Sequence, residues 1–471
     1  MNNALFLLLL LLYVGLLAFV GYITSRGASN ATFFNANKNA NWLLVSFGMI
    51  GASLSGVTFI SVPGWTAASG MTYMLMVVGY FLGYLFIAGV LLPVYYRNNV
   101  ISIYEFLGIR LGLESYRTGS LFFLLSRIVG AAARLYIVSM VVQVLICDAL
   151  GVPFVVTAVS ILLLIAVYSA SGGIATIVFT DTLQTALMLL AAVMAFYFVG
   201  KAVVPADSSY LEFLSGHPDW RFVEFTGPKS WWRQLLGGAS IAIAMTGLDQ
   251  DMMQKNLTVK RLKDAQKNMV LLGGTLLVVN LLFLSLGIFL TEFAANTGIT
   301  ATGDKLFSAI AMHPSLPTAL PIVFFLGLLA AAFSSADSAL TSLTTAFCID
   351  FLGMKSNGST KVRTRVYVGF MLVLLVVMLL IYTLKSESII STLFTAAGYT
   401  YGPLVGLFSF ALLFNRKIKG WAVLAVCVTA PIIAYQISLW APQLGYAIGF
   451  ELLVYNGLLT LIGLLAISNR A

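Results

Sequence analysis

Long apolar segments follow one another along almost the whole chain, separated by short polar stretches. A bilayer core about 30 Å thick requires roughly 20 apolar residues per α-helix, and these segments have that length. They lack the alternation of transmembrane β-strands, so the sequence predicts an all-α membrane protein. The pattern predicts thirteen transmembrane helices, the second of them interrupted, at about 4–25, 43–69, 73–96, 119–146, 151–170, 174–200, 233–254, 268–291, 318–350, 366–384, 389–414, 420–439 and 445–467.

The composition supports a membrane protein, because 60% of the residues are hydrophobic and only 9% are charged. Soluble domains carry about 25% charged residues. The first apolar segment has no basic leader, since Arg26 follows it, and is interpreted as a retained helix rather than a signal peptide. The net charge of +9 reflects basic loops, so a nucleic-acid partner is not expected.

The basic residues also predict the orientation of the chain. One set of alternate loops holds most of the 26 lysines and arginines, with clusters at 255–267, 355–365 and 416–419. The other set holds few, among them Arg233 and Lys385. Cytoplasmic loops are rich in Lys and Arg, so we expect the N-terminus outside and the C-terminus in the cytoplasm of a plasma (inner) membrane protein.

Glycines and serines interrupt the second apolar segment between Ser46 and Thr58. They predict a weak helix centre, where an unwound backbone would free carbonyl groups to bind a cation. Close packing of helices through small residues explains the same pattern equally well.

The ninth apolar segment carries one polar stripe. Its polar residues are spaced at i, i+3, i+4, i+7 and i+8, and are Ser334, Asp337, Ser338, Thr341 and Ser342. A carboxylate at membrane depth is costly, so Asp337 must meet a cation, a proton or an arginine such as Arg127 or Arg134.

Other charged residues fall in or near predicted helices and leave alternatives open. Asp181 is either a ligand for a hard cation such as sodium or a solvated residue at a helix end. Arg127 and Arg134 suit a carboxylate of the solute or of the protein, and Arg127 could also reach the membrane surface. Asp249, Gln250 and Asp251 either line a pathway or lie at the interface, and Glu451 is interpreted as interfacial.

Four motifs, in the right order, resemble those of the sodium:solute symporter family, which includes bacterial transporters of proline, galactose and sialic acid. They are Tyr168 to Ile174 followed by Thr180 and Asp181, Ala331 to Ser338, Asp249-Gln250 to Gln254-Lys255, and Gly402-Pro403. The resemblance implies a LeuT-type inverted repeat of two five-helix halves, 43–200 and 233–414. Residues 1–42 would then be an extra N-terminal helix and cytoplasmic loop, 201–232 an extracellular loop, and 415–471 two extra C-terminal helices.

The resemblance also implies two sodium sites. The main site corresponds to Gly51, Leu54, Ala331, Ser334 and Ser335, with glycine at 51 where the family usually has alanine. The second site corresponds to Asp181, Ser334, Asp337 and Ser338, with Asp337 where the sialic acid transporter has serine. Two carboxylates would strengthen cation binding or trap a proton.

The resemblance implies that Ser55 and Thr58 contact the solute. Arg127 and Arg134 are further candidates, because they lie on the helix that holds the solute-binding arginine of the sialic acid transporter. The position in this chain nearest to that arginine is Gly130, between the two. The expected solute is therefore an organic anion such as a sialic acid, or a sugar or amino acid.

The predicted function is sodium-coupled import of a small polar solute by alternating access, with Na+ as the coupling ion and no other metal. The alternatives are a proton-coupled symporter and a passive facilitator or channel of the same fold. No nucleophile and base are evident, so an enzyme is not expected.

Overall fold

A computed structural model describes residues 3–26, 28–354, 358–384, 389–418 and 420–470, and this part of the chain is almost entirely helical. Within it, ten helices are long and apolar enough to cross a membrane, and two shorter apolar helices accompany them, Trp42–Ser53 and Leu452–Ile467. The prediction of an all-α membrane protein is confirmed. Three lysines used for the orientation, Lys355, Lys385 and Lys419, lie outside the described residues.

The described α-helices are Asn3–Thr24, Asn30–Asn35, Trp42–Ser53, Gly56–Ser69, Tyr73–Phe86, Leu92–Arg97, Glu105–Leu111, Leu113–Val142, Phe154–Gly172, Ile174–Val203, Tyr210–Gly216, Trp231–Ala242, Gln250–Leu257, Leu262–Thr297, Leu306–Ala311, Ala319–Ala346, Thr360–Leu384, Ile389–Leu413, Ala422–Trp440 and Leu452–Ile467. Short 3₁₀ turns lie at Ala36–Lys38, Gly70–Thr72, Asp148–Leu150, Gly303–Lys305 and Ala441–Leu444. Wider π-helical turns occupy Ile87–Leu91, Gln143–Cys147, Ile243–Gly247 and Phe347–Phe351. Two strands, Arg416–Ile418 and Ser468–Arg470, pair antiparallel, with Arg416 opposite Arg470.

The second apolar segment forms the first broken helix, which consists of Trp42–Ser53 and Gly56–Ser69. Its first half is capped by the Asn41 side chain, which accepts the Leu43 N–H at 2.9 Å. The helix stops because Leu54 leaves the helical region, with φ −88° and ψ 73°, and Ser55 is extended. The interruption predicted from the glycines and serines is therefore present.

The second broken helix comprises Trp231–Ala242, the π turn after it, and Gln250–Leu257. The sequence predicts one continuous helix at 233–254, but the structure breaks it at Leu248, with φ −109° and ψ 14°. Asp249 is extended, and its side chain accepts the N–H groups of Asp251 at 2.8 Å and Met252 at 3.4 Å. A short carboxylate side chain stabilises a new helix start in this way, which explains why the chain breaks here.

Three elements meet at the centre of the molecule: the first broken helix, the aspartate helix Ile174–Val203 and the serine-rich helix Ala319–Ala346. Small residues allow the close approach. A Cβ at Gly48 would lie 2.9 Å from the Asp181 Cβ, and one at Gly56 would lie 3.4 Å from the Ala332 Cβ. Backbones and polar side chains are thereby brought together where lipid is excluded.

Two helices outside this centre matter for the site. The arginine helix, Leu113–Val142, begins earlier than the predicted 119, so Arg117 lies within it rather than in a loop. The N-terminal helix Asn3–Thr24 packs against the serine-rich helix, and the rings of Tyr13 and Phe333 are 5.7 Å apart.

Candidate functional site

The break in the first broken helix, with Gly51 and Leu54, packs against the serine-rich helix, which carries the other three residues of the expected main sodium site. Among the described residues, no backbone N–H donates to the carbonyl oxygens of Gly51 or Leu54. The Ser335 hydroxyl donates within its own helix, to the carbonyls of Ala332 at 3.0 Å and Ala331 at 3.4 Å. Free carbonyl and hydroxyl oxygens are ligands of the kind that hard cations prefer.

Gly51 contacts the aspartate helix so closely that a Cβ in its place would collide with the Thr185 hydroxyl. The Thr185 hydroxyl is buried and has no hydrogen-bond partner among the described residues. The sequence analysis did not select Thr185. Its position four residues after Asp181, on the same helix face, is the signal that could have found it.

Asp181 of the expected second sodium site is fully buried, so the solvated helix end is the wrong alternative. Its Oδ1 accepts the Ser334 hydroxyl at 2.6 Å, and its Oδ2 accepts the Lys255 ammonium at 2.7 Å. Lys255 was expected in a basic cytoplasmic loop, but it is only 1% exposed. That expectation was wrong because Lys255 continues the short helix that follows the break at Leu248.

Asp337 is also fully buried, and the structure pairs it with neither Arg127 nor Arg134. Its Oδ1 accepts the neighbouring Ser338 N–H at 2.5 Å, while its Oδ2 has no hydrogen-bond partner among the described residues. Asp181 and Lys255 lie near enough to interact with it electrostatically.

Other buried polar groups around Asp337 also lack partners within the described chain. They are the Ser338 hydroxyl, both amide atoms of Gln184 and the hydroxyls of Tyr13 and Tyr168. Tyr13 faces Gln184, and Tyr168 faces Asp337. Unpaired polar groups are costly away from water. The oxygen atoms of this group suit a bound cation, whereas the Gln184 Nε2 is a hydrogen-bond donor and does not. Gln184, Tyr13 and Tyr168 lie on three helices other than that of Asp337. None of the three was predicted as a site residue, although Tyr168 begins one of the family motifs.

The four expected solute-binding residues, Ser55, Thr58, Arg127 and Arg134, all line one cavity of about 120 Å³. The cavity lies between the two broken helices, the arginine helix and the helix Tyr73–Phe86. Further polar side chains on its wall, which the sequence analysis did not select, are those of Ser53, Tyr73, Tyr80, Tyr84, Thr246 and Asn280.

The two arginines on this cavity differ in their partners. Arg127 is 5% exposed and forms ion pairs with Asp251 and, at 3.8 Å, with Asp249. Asp249 also accepts the Tyr401 hydroxyl. Arg134 forms no ion pair within the described chain, and its Nε is buried without a partner. Arg127 is therefore neutralised by the protein, whereas Arg134 presents an unpaired positive charge.

The interfacial interpretations of residues 249–251 and of Glu451 are wrong, because all of these residues are buried. Asp249, Gln250 and Asp251 are at most 1% exposed. Glu451 is also buried, because it pairs with Arg233 and accepts the Tyr446 hydroxyl at 3.0 Å. In each case a partner from a distant segment makes burial of the charge possible.

Comparison with known proteins identifies the family. The sequence profile of the Sodium:solute symporter family matches residues 33–428. The chain belongs to this family. Among its relatives, the sodium/sialic acid symporter SiaT of Proteus mirabilis (strain HI4320) is 22% identical over 92% of this chain and 89% of its own length. The sodium/glucose cotransporter of Vibrio parahaemolyticus is 26% identical over 72% of this chain and 67% of its own.

Solved structures of similar fold are also transporters. A Na+-coupled sialic acid symporter, in a substrate-bound outward-open state, superposes with a TM-score of 0.82 at 20% identity over 99% of both chains. A nucleobase-cation-symport-1 family transporter in a closed conformation gives 0.58 at 16% identity, over 93% of this chain and 94% of its own. Family membership confirms the resemblance seen in the motifs, sodium-coupled symport of a small solute, and sodium as the coupling ion. The symporter is a transporter rather than an enzyme.

Proposed function

We propose that this symporter imports a small organic anion together with sodium. The observation that carries the proposal is the guanidinium of Arg134, which faces the cavity without an ion-pair partner among the described residues. A planar guanidinium with free N–H groups binds a carboxylate in a bidentate manner. The name of the sialic acid symporter relative, whose substrate is an anion, is consistent with this choice.

The charge of the cavity wall favours an anion over a zwitterionic amino acid. Arg127 is already paired with Asp249 and Asp251, and no aspartate or glutamate is among the described residues that line the cavity. An ammonium group would have no carboxylate to meet there. A neutral sugar would leave Arg134 unpaired, which is costly for a charge removed from water.

The five expected main-site residues are proposed to hold the coupling sodium. Gly51 and Leu54 would supply carbonyl oxygens freed by the helix break, and Ala331, Ser334 and Ser335 would supply oxygens from the serine-rich helix. Because the break that frees these carbonyls continues into Ser55 and Thr58 on the solute cavity, sodium bound there would order that part of the wall. Each ligand would then strengthen the binding of the other.

A second cation is proposed at Asp181, Ser334, Asp337 and Ser338. If both carboxylates are ionised, they face one ammonium and leave one negative charge without a counter-charge. Electrostatics alone allows a proton instead of sodium at Asp337. The other oxygen atoms nearby that lack partners favour sodium, since a cation of that size needs several oxygen ligands.

The proposed architecture is the five-plus-five inverted repeat, 43–200 and 233–414, with thirteen crossings when each broken helix is counted once. Its support is that each half opens with a helix broken near its middle, at Leu54 and at Leu248. Broken helices in corresponding positions are typical of inverted-repeat transporters. We further propose the predicted orientation in the plasma (inner) membrane, with the N-terminus outside and the basic segment 260–267 in the cytoplasm.

The test is thermal stability of the purified protein in sodium and in potassium at equal ionic strength, with carboxylic acids, neutral sugars and amino acids added separately. A ligand that binds only the folded state raises the melting temperature. We expect stabilisation by carboxylic acids in sodium that is lost in Arg134→Gln and kept in part in Arg134→Lys. Stabilisation by a neutral sugar that persists in Arg134→Gln would reject an anionic solute. Uptake of the stabilising compound into proteoliposomes, driven by an inward sodium gradient, then tests symport.

A further inference from the structure

Lys255 is a buried ammonium inside a proposed cation site. It is 1% exposed, and its Nζ lies 2.7 Å from Asp181 Oδ2. The short helix that carries it, Gln250–Leu257, is separated from the rest of the second broken helix by the break at Leu248. Burial of a lysine ammonium at such a position is energetically costly unless the charge has a defined partner. Ionisable residues buried at membrane depth are also usually functional.

Each carboxylate oxygen of Asp181 has one partner in this conformation. Oδ1 accepts the Ser334 hydroxyl at 2.6 Å, and Oδ2 accepts the ammonium. A sodium ion that binds Asp181 would lie close to one or both of these contacts. Ser334 can remain, because a hydroxyl that turns its proton away offers an oxygen to the ion. The ammonium carries a full positive charge, so a second cation on the same carboxylate oxygen is disfavoured by repulsion at close range.

Asp337 completes the arrangement from the other side. Its Oδ2 is buried and unpartnered among the described residues, and so are the Ser338 hydroxyl and the Gln184 amide. Lys255 interacts electrostatically with both Asp181 and Asp337. The ammonium therefore interacts with three carboxylates, since Asp251 also lies near it, but Asp251 is paired with Arg127. Asp181 and Asp337 remain for a sodium ion, together with the oxygen atoms of Ser338 and Gln184 that lack partners among the described residues.

We propose that Lys255 is a tethered competitor of the second sodium ion. Its ammonium occupies Asp181 in this conformation, leaves when sodium binds between Asp181 and Asp337, and returns to displace the ion. The four-carbon stem of lysine is flexible, so the ammonium can leave the carboxylate without unfolding the helix. This inference rests on the proposed second site and assigns its regulation to a residue outside that site's expected ligands.

The alternative is a permanent ion pair, in which Lys255 serves only to neutralise Asp181. The two ideas make different predictions when the positive charge is removed. A permanent pair predicts lower stability of the variant in every salt. A competitor predicts that sodium takes over the position of the ammonium, so that the variant binds sodium more tightly and is stabilised by it.

The experiment is binding of radioactive sodium to purified protein without any solute, which needs no knowledge of the transported compound. In Lys255→Met we expect the sodium concentration that half-saturates the second site to fall at least about 10-fold, which corresponds to about 1.4 kcal/mol. The gain should vanish in the double variant Lys255→Met/Asp337→Asn. Lys267→Met, which removes an exposed lysine, is the control and should bind sodium as the original protein does.

Lys255→Arg provides a second, opposite test that keeps the buried charge. Its guanidinium binds a carboxylate in two places, so it should hold Asp181 longer and weaken the second sodium at least about 3-fold. Unchanged sodium binding in both Lys255 variants, or in Lys255→Arg if Lys255→Met does not fold, would overturn the proposal. Failure of the proposed second site looks different, because the unmodified protein would then bind a single sodium ion.

Discussion

The side chain of Gln250 pairs with the backbone at Ile103. Its Oε1 accepts the Ile103 N–H at 2.9 Å, and its Nε2 donates to the Ile101 carbonyl at 2.9 Å. Gln250 follows the break in the second broken helix, while Ile103 lies in the connection before the short helix Glu105–Leu111. One fully buried side chain therefore connects a discontinuous helix to the neighbouring connecting segment.

Gln250→Ala should loosen this connection. The substitution leaves two backbone groups unpaired, each at a cost of about 1–3 kcal/mol if they stay buried. We expect hydrogen exchange of the Ile103 amide to become at least about 10-fold faster. Gln266→Ala, which removes one hydrogen bond to the Ala88 carbonyl, should leave that amide unchanged. Equal exchange rates in Gln250→Ala and the original protein would show that the pairing does not hold the segment.

Ser335→Ala should weaken activation by sodium while the fold is kept. It removes one expected oxygen ligand of the main site and no contact to another helix, because the hydroxyl bonds only within its own helix. The half-saturating sodium concentration for uptake should rise about 10-fold, a loss of about 1.4 kcal/mol. Ser342→Ala is the matched control, since its buried hydroxyl bonds to Ala339 in the same way. Unchanged sodium dependence in Ser335→Ala would refute the main-site assignment.

Asp337→Asn should lower the Hill coefficient for sodium to one if Asp337 helps to bind a second ion. The amide keeps the size of the side chain but removes the charge that attracts the cation. The control is Asp350→Asn, a buried carboxylate at the end of the same helix that is held by the hydroxyls of Tyr116, Ser120 and Ser102. A Hill coefficient above one that survives the Asp337 change would reject its role.

Gly51→Ala should destabilise this protein although alanine is usual at this position in the family. The new methyl group would collide with the Thr185 hydroxyl, and overpacking of this kind costs about 1–3 kcal/mol. Thr185→Ala in the same chain should restore the melting temperature by removing the colliding atoms. A single Gly51→Ala variant as stable as the original protein would mean that the two helices separate at no cost.

The approximate positions of most long helices could be predicted from the sequence, because the length of an apolar segment depends only on neighbouring residues. The interrupted helix at Ser46 to Thr58 was predicted for the same reason, since glycine and serine weaken a helix wherever they cluster. The break at Leu248 was missed. Its cause is the cap made by Asp249, and an aspartate before a polar segment is equally compatible with a helix end at the membrane surface.

The depth of charged residues could not be predicted in the same way. Lys255 and Glu451 were placed in a loop and at the interface, because a charge near the end of an apolar segment normally faces water. Both are buried since Asp181 and Arg233, far away in the sequence, neutralise them. The four residues expected to contact the solute line one cavity, but six further polar side chains on its wall were not predicted. Ser55 and Thr58 were expected from the resemblance, whereas Arg127 and Arg134 were expected from their charge and their place on one helix.

The π turn at Ile243–Gly247 fixes the alignment of the residues that follow it. Such a turn holds one residue more than the regular helix would, and each residue of an α-helix advances the side chains by about 100°. Deleting one residue there would rotate Asp249 away from Arg127 and Tyr401 without removing any of the three. Insertions and deletions in this turn should therefore be rarer among relatives than substitutions. The number of residues in the turn sets the direction of the Asp249 side chain, and with it the ion pair to Arg127.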